Sequence, residues 1–206
     1  MKDELYRAVK EKEDPKRFSH TLSVTKECER LSEIFLLDNE CKKALITAAM
    51  LHDITKGFSE KEHIALANEY FAEISADDLA SPAILHQITG ALYVKKYLPE
   101  HYSAMLDSAI SKHTTGDADM SLTDKLLCLA DYIEEERSYE KCRQTREYFY
   151  SLLKRVDKEK ALDLALLKYF ENTVNHIKSK NLAVHPKTLK AYTALNTEIR
   201  KETDIV

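Results

Sequence analysis

Glycine and proline are scarce in this chain, at 3 and 4 of 206 residues, where ordinary usage is about 7% and 5%. No stretch alternates apolar and polar residues with period two, which argues against a sheet. No apolar run approaches the ~20 residues of a membrane span. The opening Met1-Lys2-Asp3-Glu4-Leu5 lacks the apolar core of a secretory signal. The 4 cysteines, Cys28, Cys41, Cys128 and Cys142, show no CxxC spacing and read as buried thiols, not bridges or zinc ligands. A basic excess is missing too. The net charge of −4 argues against a general nucleic-acid surface. These absences leave a soluble cytoplasmic protein with neither nucleic acid nor membrane as partner.

What is present is helix. Long stretches of Ala, Leu, Glu and Lys favour it throughout, and 206 residues suffice to bury roughly 70% of the unfolded surface. We expect an all-α bundle forming one domain. A short polar helix spans 2–13, closed by Asp14-Pro15, and a longer one spans 16–37 with Val24, Cys28, Leu31 and Phe35 as its apolar stripe. Asp38 or Asn39 caps the next. Ser59-Glu60-Lys61-Glu62 is a capping box opening a helix through Phe71, and 74–80 is a polar connection. Ser81-Pro82 and Pro99 each read as a helix start. Ser121-Leu122-Thr123-Asp124 resembles another box. Helices over 143–155 and 158–180 follow, then a last one after Pro186 with Leu189, Tyr192, Leu195 and Ile199 inward.

Within that pattern, the run Ala44 to Gly57 delivers His52-Asp53 from an apolar helix, followed by Lys56. A buried carboxylate needs a cationic partner or a metal. Stepping back four from Val24 turns His20 inward, and His86, His113 and Asp131 also fall on apolar faces. Each histidine alone reads as an ordinary core residue. Four imidazoles and two carboxylates together suit two divalent ions. All three glycines closely follow one of these histidines: Gly57 after His52, Gly90 after His86, Gly116 after His113. This suggests room kept for a ligand; a helix end does not explain Gly90, where a backbone pressed against a ligand or a partner helix would. His63, His101 and His176 read as surface histidines, and Glu134-Glu135-Glu136 as a solvated face.

With these residues in place the chain resembles the HD-domain metallophosphohydrolases, and more narrowly the YqeK family of symmetrical diadenosine tetraphosphate hydrolases. The resemblance runs through Arg17-Phe18-Ser19-His20, His52-Asp53-Ile54-Thr55-Lys56, His86-Gln87-Ile88-Thr89-Gly90-Ala91, His113-Thr114-Thr115-Gly116, Ala130-Asp131-Tyr132-Ile133-Glu134 and His185-Pro186-Lys187-Thr188. It implies one HD domain over 1–206, with its motifs in 16–140 and a helical part, 141–206, closing the site. It implies that His20, His52, Asp53 and Asp131 hold one metal ion, while His86 and His113 hold a second with Asp53 bridging. Asp53, Lys56 and His86 are then the residues of catalysis. Nucleotide contacts are implied for Arg17, Lys56, His86, His113, Thr114, Asp131, Arg137, Val184, His185, Pro186, Lys187 and Thr188. Two positions depart from such relatives, Glu135 where they carry proline and Thr193 where they carry asparagine.

Imidazole and carboxylate without thiolate suit iron first, with manganese, cobalt or nickel as alternatives, better than tetrahedral zinc. Two such ions lower the pKa of a bound water and grip a phosphoryl oxygen. The expected reaction is therefore attack on an inner phosphorus of diadenosine tetraphosphate, giving two ADP. Hydrolysis of another nucleotide, a non-catalytic nucleotide-binding signalling module, and a structural bundle whose histidines are all core residues are the rival readings. A homodimer is allowed, but nothing in the sequence requires it.

Overall fold

The computed structural model of the protein describes residues 2–203, and the side chains of residues 5–201. Among the described residues there are eleven α-helices and no strand, as the scarcity of breakers predicts. In chain order they are α1 (Lys2–Lys12), α2 (Pro15–Ile34), α3 (Asn39–Leu51), α4 (Glu60–Glu69), α5 (Ala76–Leu79) and α6 (Leu85–Tyr97). Then come α7 (Ala104–Lys112), α8 (Leu122–Ile133), α9 (Glu140–Leu152), α10 (Lys158–Ser179) and α11 (Pro186–Thr203).

Starts are set by side-chain caps. Asp14 accepts from the backbone N–H groups of Lys16 and Arg17, with Pro15 at the first helical position. Asp38 caps α3, and the boxes Ser59/Glu62 and Ser121/Asp124 both close as the sequence predicts. Helix α2 packs on α3 and α8, α3 on α7, and α7 on α6 and α8, while α10 joins α8 to α9 and α11. Leu31, Leu45, Leu51, Leu106, Ile110, Leu126, Leu127 and Leu129 are fully buried between these helices. Each such side chain stabilises the fold by about 1.5–3 kcal/mol. The stripe Val24, Cys28, Leu31 and Phe35 is buried as expected.

Several boundaries move. Helix α2 stops at Ile34 because Leu36 takes a left-handed conformation, φ 54°. Residues 74–80 are not a plain connection. They hold α5, closed by a capping box of Ser75 and Asp78. Pro82 and Pro99 each open a single 3₁₀ turn instead of an α-helix, and Ser81 makes no capping bond. Ser103 caps α7 instead. On α11 the inward residues are Thr188, Ala191 and Leu195, whereas Leu189 is 41% exposed. Cys28, Cys128 and Cys142 are buried thiols, but Cys41 is only half-buried. No described helix is long and apolar enough to cross a membrane.

Candidate metal centre

Helices α3 and α7 end alike, and this builds the floor of the site. His52 is the first residue past α3, and His113 the first past α7. A helix leaves its last carbonyls without partners. Each histidine Nδ1 lies 2.7 Å from the carbonyl oxygen three residues back, Ala49 for His52 and Ile110 for His113. Donation there fixes the Nε2 lone pair toward the interior, the arrangement a metal-ligating histidine adopts. Beyond His52 the helix does not continue. Residues 52–57 form consecutive turns, and one of them, Lys56 N–H to Asp53 C=O at 2.8 Å, folds Lys56 back over Asp53.

Asp53 sits where these ends meet. Its Oδ1 lies 3.2 Å from His86 Nε2, 3.8 Å from His113 Nε2 and 3.4 Å from Lys56 Nζ, and its Oδ2 lies 3.8 Å from His52 Nε2. On the other side, α2 and α8 contribute His20 and Asp131, whose Nε2 and Oδ1 are 2.9 Å apart, with His52 Nε2 4.0 Å from the same oxygen. All six expected ligands therefore converge. Two groups of ligand atoms lie within 4.8 Å of one another: His20, His52 and Asp131, and His52, Asp53 and His113. His52 is common to both. His86 stands beside the second group, its Nε2 3.0 Å from that of His113 and 2.9 Å from Lys56 Nζ.

The donor arithmetic fits bound cations. His52 Nε2 is buried without a hydrogen-bond partner, and Asp53 Oδ1 has an ion pair with Lys56 but no hydrogen bond; the free nitrogen disfavours the fold unless something electropositive meets it. With Lys56 donating to His86 Nε2, that nitrogen is an acceptor. Its contact with His113 Nε2 then opposes two lone pairs, which a cation between them would relieve. Burial pushes the His52 pKa down to about 4, so its imidazole is neutral and able to ligate. Burial also holds the pKa of His86 well below the usual range, with Lys56 adding to it. For Asp53 and Asp131, burial opposes ionisation, but the surrounding imidazoles together with Lys56 at Asp53 and Arg137 at Asp131 outweigh it, and both carboxyls titrate well below the usual range.

The surrounding polar groups hold this arrangement in place. Glu134 is 1% exposed, and its Oε1 lies 3.0 Å from His20 Nδ1. Donation from Nδ1 leaves His20 Nε2 facing Asp131, a carboxylate–histidine–ligand relay. Burial disfavours the His20 imidazolium, yet hydrogen bonds to Asp131 and Glu134 carry its pKa up to about 9, so a cation bound at Nε2 would have to displace a proton there. Gln87, fully buried, accepts from the N–H groups of Thr114 and Thr115 through Oε1 and donates to the Thr115 hydroxyl. It fastens α6 to the turn after His113. His63 bonds the Thr89 hydroxyl at 2.7 Å, Thr89 meets Thr55 at 3.0 Å, and Thr55 donates to the His86 carbonyl.

Two expectations are corrected here. Glu134 is not on a solvated face; it lies three residues after Asp131, and that spacing places both on one side of α8's end. His63 is not a surface histidine; it is 4% exposed, on the same face of α4 as Leu66 and Ala67. Of the two explanations for Gly90, a ligand or a partner helix, the structure favours the helix. A Cβ at Gly90 would meet Ile110 Cγ2 at 2.9 Å and the His52 carbonyl at 3.5 Å, so its absence lets α6 close on α7. Gly116 has φ +63° and ends α7's turn.

In front of the cluster opens a cavity of about 430 Å³, lined by His20, Asp53, Lys56, Arg17, Arg137 and Tyr139 among others. Arg137 is drawn inward, its Nη2 2.7 Å from Asp131 Oδ1. The Thr114 hydroxyl lies 3.3 Å from His86 Nε2. Val184, His185, Pro186, Lys187 and Thr188 do not line this cavity. His185 instead pairs with the buried Asp78, Nε2 to Oδ1 at 3.1 Å.

Residues 17–136 match the HD domain family. The chain belongs to that family. As an HD hydrolase it is 31% identical over 193 residues to the symmetrical bis(5'-nucleosyl)-tetraphosphatase of Bacillus subtilis, covering 93% of this chain and 95% of that one. It is 30% identical to the protein of the same name from Halalkalibacterium halodurans, over 88% of this chain and 90% of that one. A crystal structure from Clostridium acetobutylicum, described as a predicted HD superfamily hydrolase involved in NAD metabolism, superposes with a TM-score of 0.85 at 26% identity. That match covers 96% of this chain and 98% of the other. HD domains depend on metal, and the His/Asp cluster is where this HD domain would hold it.

Proposed function

We propose that this chain hydrolyses diadenosine tetraphosphate and related dinucleoside polyphosphates symmetrically, adding water across the central phosphoanhydride to release two ADP. The observation that carries the reading is the Asp53 carboxylate, buried among the Nε2 atoms of His52, His86 and His113 with Lys56 beside it. The names of the relatives from Bacillus subtilis and Halalkalibacterium halodurans support the choice of substrate. His20, His52, Asp53 and Asp131 are the proposed ligands of one ion, and His86, His113 and Asp53 those of a second. Iron is the first candidate, and manganese, cobalt or nickel fit the same donors. When bound, the ions supply a water of lowered pKa and positive charge against the phosphoryl oxygens.

The chain's own residues then divide the remaining work. Lys56 reaches the centre from the open side and neutralises charge growing on the phosphoryl oxygens, the main electrostatic contribution in such transfers. Arg17 and Arg137 flank the cavity and meet the outer phosphates. The Thr114 hydroxyl, held by the Gln87 clamp on its own N–H, is placed to meet a phosphate oxygen near His86. Helices α9 to α11 close the site as part of the same domain. Tyr169 of α10 donates to the Thr114 carbonyl at 2.7 Å, while the 184–188 segment, anchored through His185 and Asp78, stands outside the cavity lining. A cytoplasmic location suits such a substrate.

The deciding experiment is elemental analysis of the purified protein together with chromatographic product analysis. Two transition-metal atoms per chain, and two ADP per substrate consumed, are expected. AMP with ATP as products, or turnover undiminished after complete metal removal, would overturn the proposal.

A further inference from the structure

Depth in the cavity follows an order of side-chain chemistry. At its floor the Asp53 side chain is 8% exposed; Lys56 and Arg137, midway, are 34% and 33% exposed. At the rim stands Tyr139, 72% exposed. Carboxylate and imidazole, then cations, then an aromatic ring is the sequence that would meet a metal-held phosphate, the rest of a phosphate chain, and a base.

The rim position is unusual in two ways. Tyr139 occupies the N-cap of α9 and makes no side-chain capping bond there, at a site where Ser, Thr, Asp or Asn ordinarily supplies one. Its ring is presented to water where an apolar ring gains nothing. Its support is nevertheless stiff. The Arg146 guanidinium donates to the carbonyls of Ile133, Glu134 and Arg137, and Arg137 is tied in turn to Asp131. Ser19 on α2 also donates to the Glu136 carboxylate, fixing the rim segment across the cavity mouth. An exposed ring on a clamped support is pre-organised for a planar ligand, because little ordering remains to be done when one arrives.

We propose that Tyr139 is a base-stacking residue that holds the purine of the nucleotide half leaving the cavity past Arg137. This rests on the reading of the chain as a dinucleoside polyphosphate hydrolase, and deepens it by naming what recognises one of the two nucleosides. Stacking on an aromatic ring tolerates any base and strengthens with its π-surface.

The chain has no tryptophan, so Tyr139→Trp installs a single fluorescent reporter at the rim. In the metal-loaded protein, ADP is expected to quench that fluorescence, CDP to quench it less, and inorganic tripolyphosphate to leave it unchanged. In steady-state assays Tyr139→Ala is expected to raise KM for diadenosine tetraphosphate by roughly 5- to 150-fold. Tyr139→Phe should restore it, while inhibition by tripolyphosphate keeps its wild-type constant in all variants. Equal quenching by ADP and tripolyphosphate, or a KM unmoved in Tyr139→Ala, would overturn stacking. Should the wild type fail to split diadenosine tetraphosphate at all, the hydrolase reading falls. The fluorescence comparison still decides on its own whether the ring holds a purine.

Discussion

His20 and Glu134 are 114 residues apart in the chain, yet His20 Nδ1 and Glu134 Oε1 meet at 3.0 Å, well out of water. Through that bond Glu134 determines which nitrogen of His20 faces Asp131. Glu134→Gln keeps the shape but removes the charge that stabilises a donating Nδ1–H. Glu134→Ala removes the partner altogether. Changes in a carboxylate behind a ligating histidine typically weaken metal binding by ~10- to 100-fold. The expected result is metal loss at lower chelator concentration for both variants, with Ala worse than Gln. Chelator titration followed by elemental analysis measures it, and retention equal to wild type would make Glu134 a bystander.

Asp53 is the carboxylate to which His52, His86, His113 and Lys56 all turn. Asp53→Ala should abolish metal binding and turnover together, because His86 and His113 then have no carboxylate beside them and Asp131 alone cannot offset two cations. Asp53→Asn, nearly the same in shape, should fail similarly. Metal content and product formation, measured on one preparation, test it. A variant that keeps full activity with its metal in place would sink the whole scheme.

The fold was legible because helix periodicity and capping are local. The stripe of α2 and the boxes at Ser59 and Ser121 needed no knowledge of distant residues. The six candidate ligands that converge at His52 and Asp53 were legible for a related reason, since each charged or imidazole group lay on a face otherwise apolar. What stayed hidden depends on tertiary contact. Glu134 sits in a run of three acids, and nothing within that run distinguishes the buried one from its neighbours. His63 lies on a helix whose first turn is charged, and its buried ring is bonded by Thr89, 26 residues away. The 3₁₀ turns at Pro82 and Pro99 were misjudged because proline fits the start of either helix type.

Gly90 gives a packing test. On propensity alone, Gly90→Ala should stabilise α6 by about 1 kcal/mol. The added Cβ would, however, lie 2.9 Å from Ile110 Cγ2, an atom fixed close to the backbone of α7. Overpacking of this kind costs about 1–3 kcal/mol, so the net change should be destabilising. It should also disturb His113, which bonds the Ile110 carbonyl. Thermal unfolding of Gly90→Ala, Ile110→Ala and the double variant checks this. The two substitutions should be non-additive, with the double variant more stable than the sum predicts. Simple additivity would show that α6 and α7 are not in the tight contact described.

Glu13, at the end of α1, offers a pH test away from the ligands themselves. It is buried, its Oε2 accepts from the Thr21 hydroxyl at 2.8 Å, and its Oε1 has no partner. Burial raises its pKa from 4.5 to about 7, partly offset by the Thr21 bond. The folded state thus holds this proton more tightly than the unfolded chain. Stability contributed by the protonated group is complete below pH 4.5 and is lost as pH rises through the folded pKa near 7. At 1.36 kcal/mol per pH unit the ceiling of that loss is about 3 kcal/mol. Glu13→Gln cannot ionise, so its advantage over wild type should grow from pH 4.5 to pH 7 and then level off. Unfolding curves of both proteins across pH 4 to 9 measure the difference. Parallel pH dependence in the two would mean that Glu13 stays ionised in the folded protein, with a cation near enough to offset its burial.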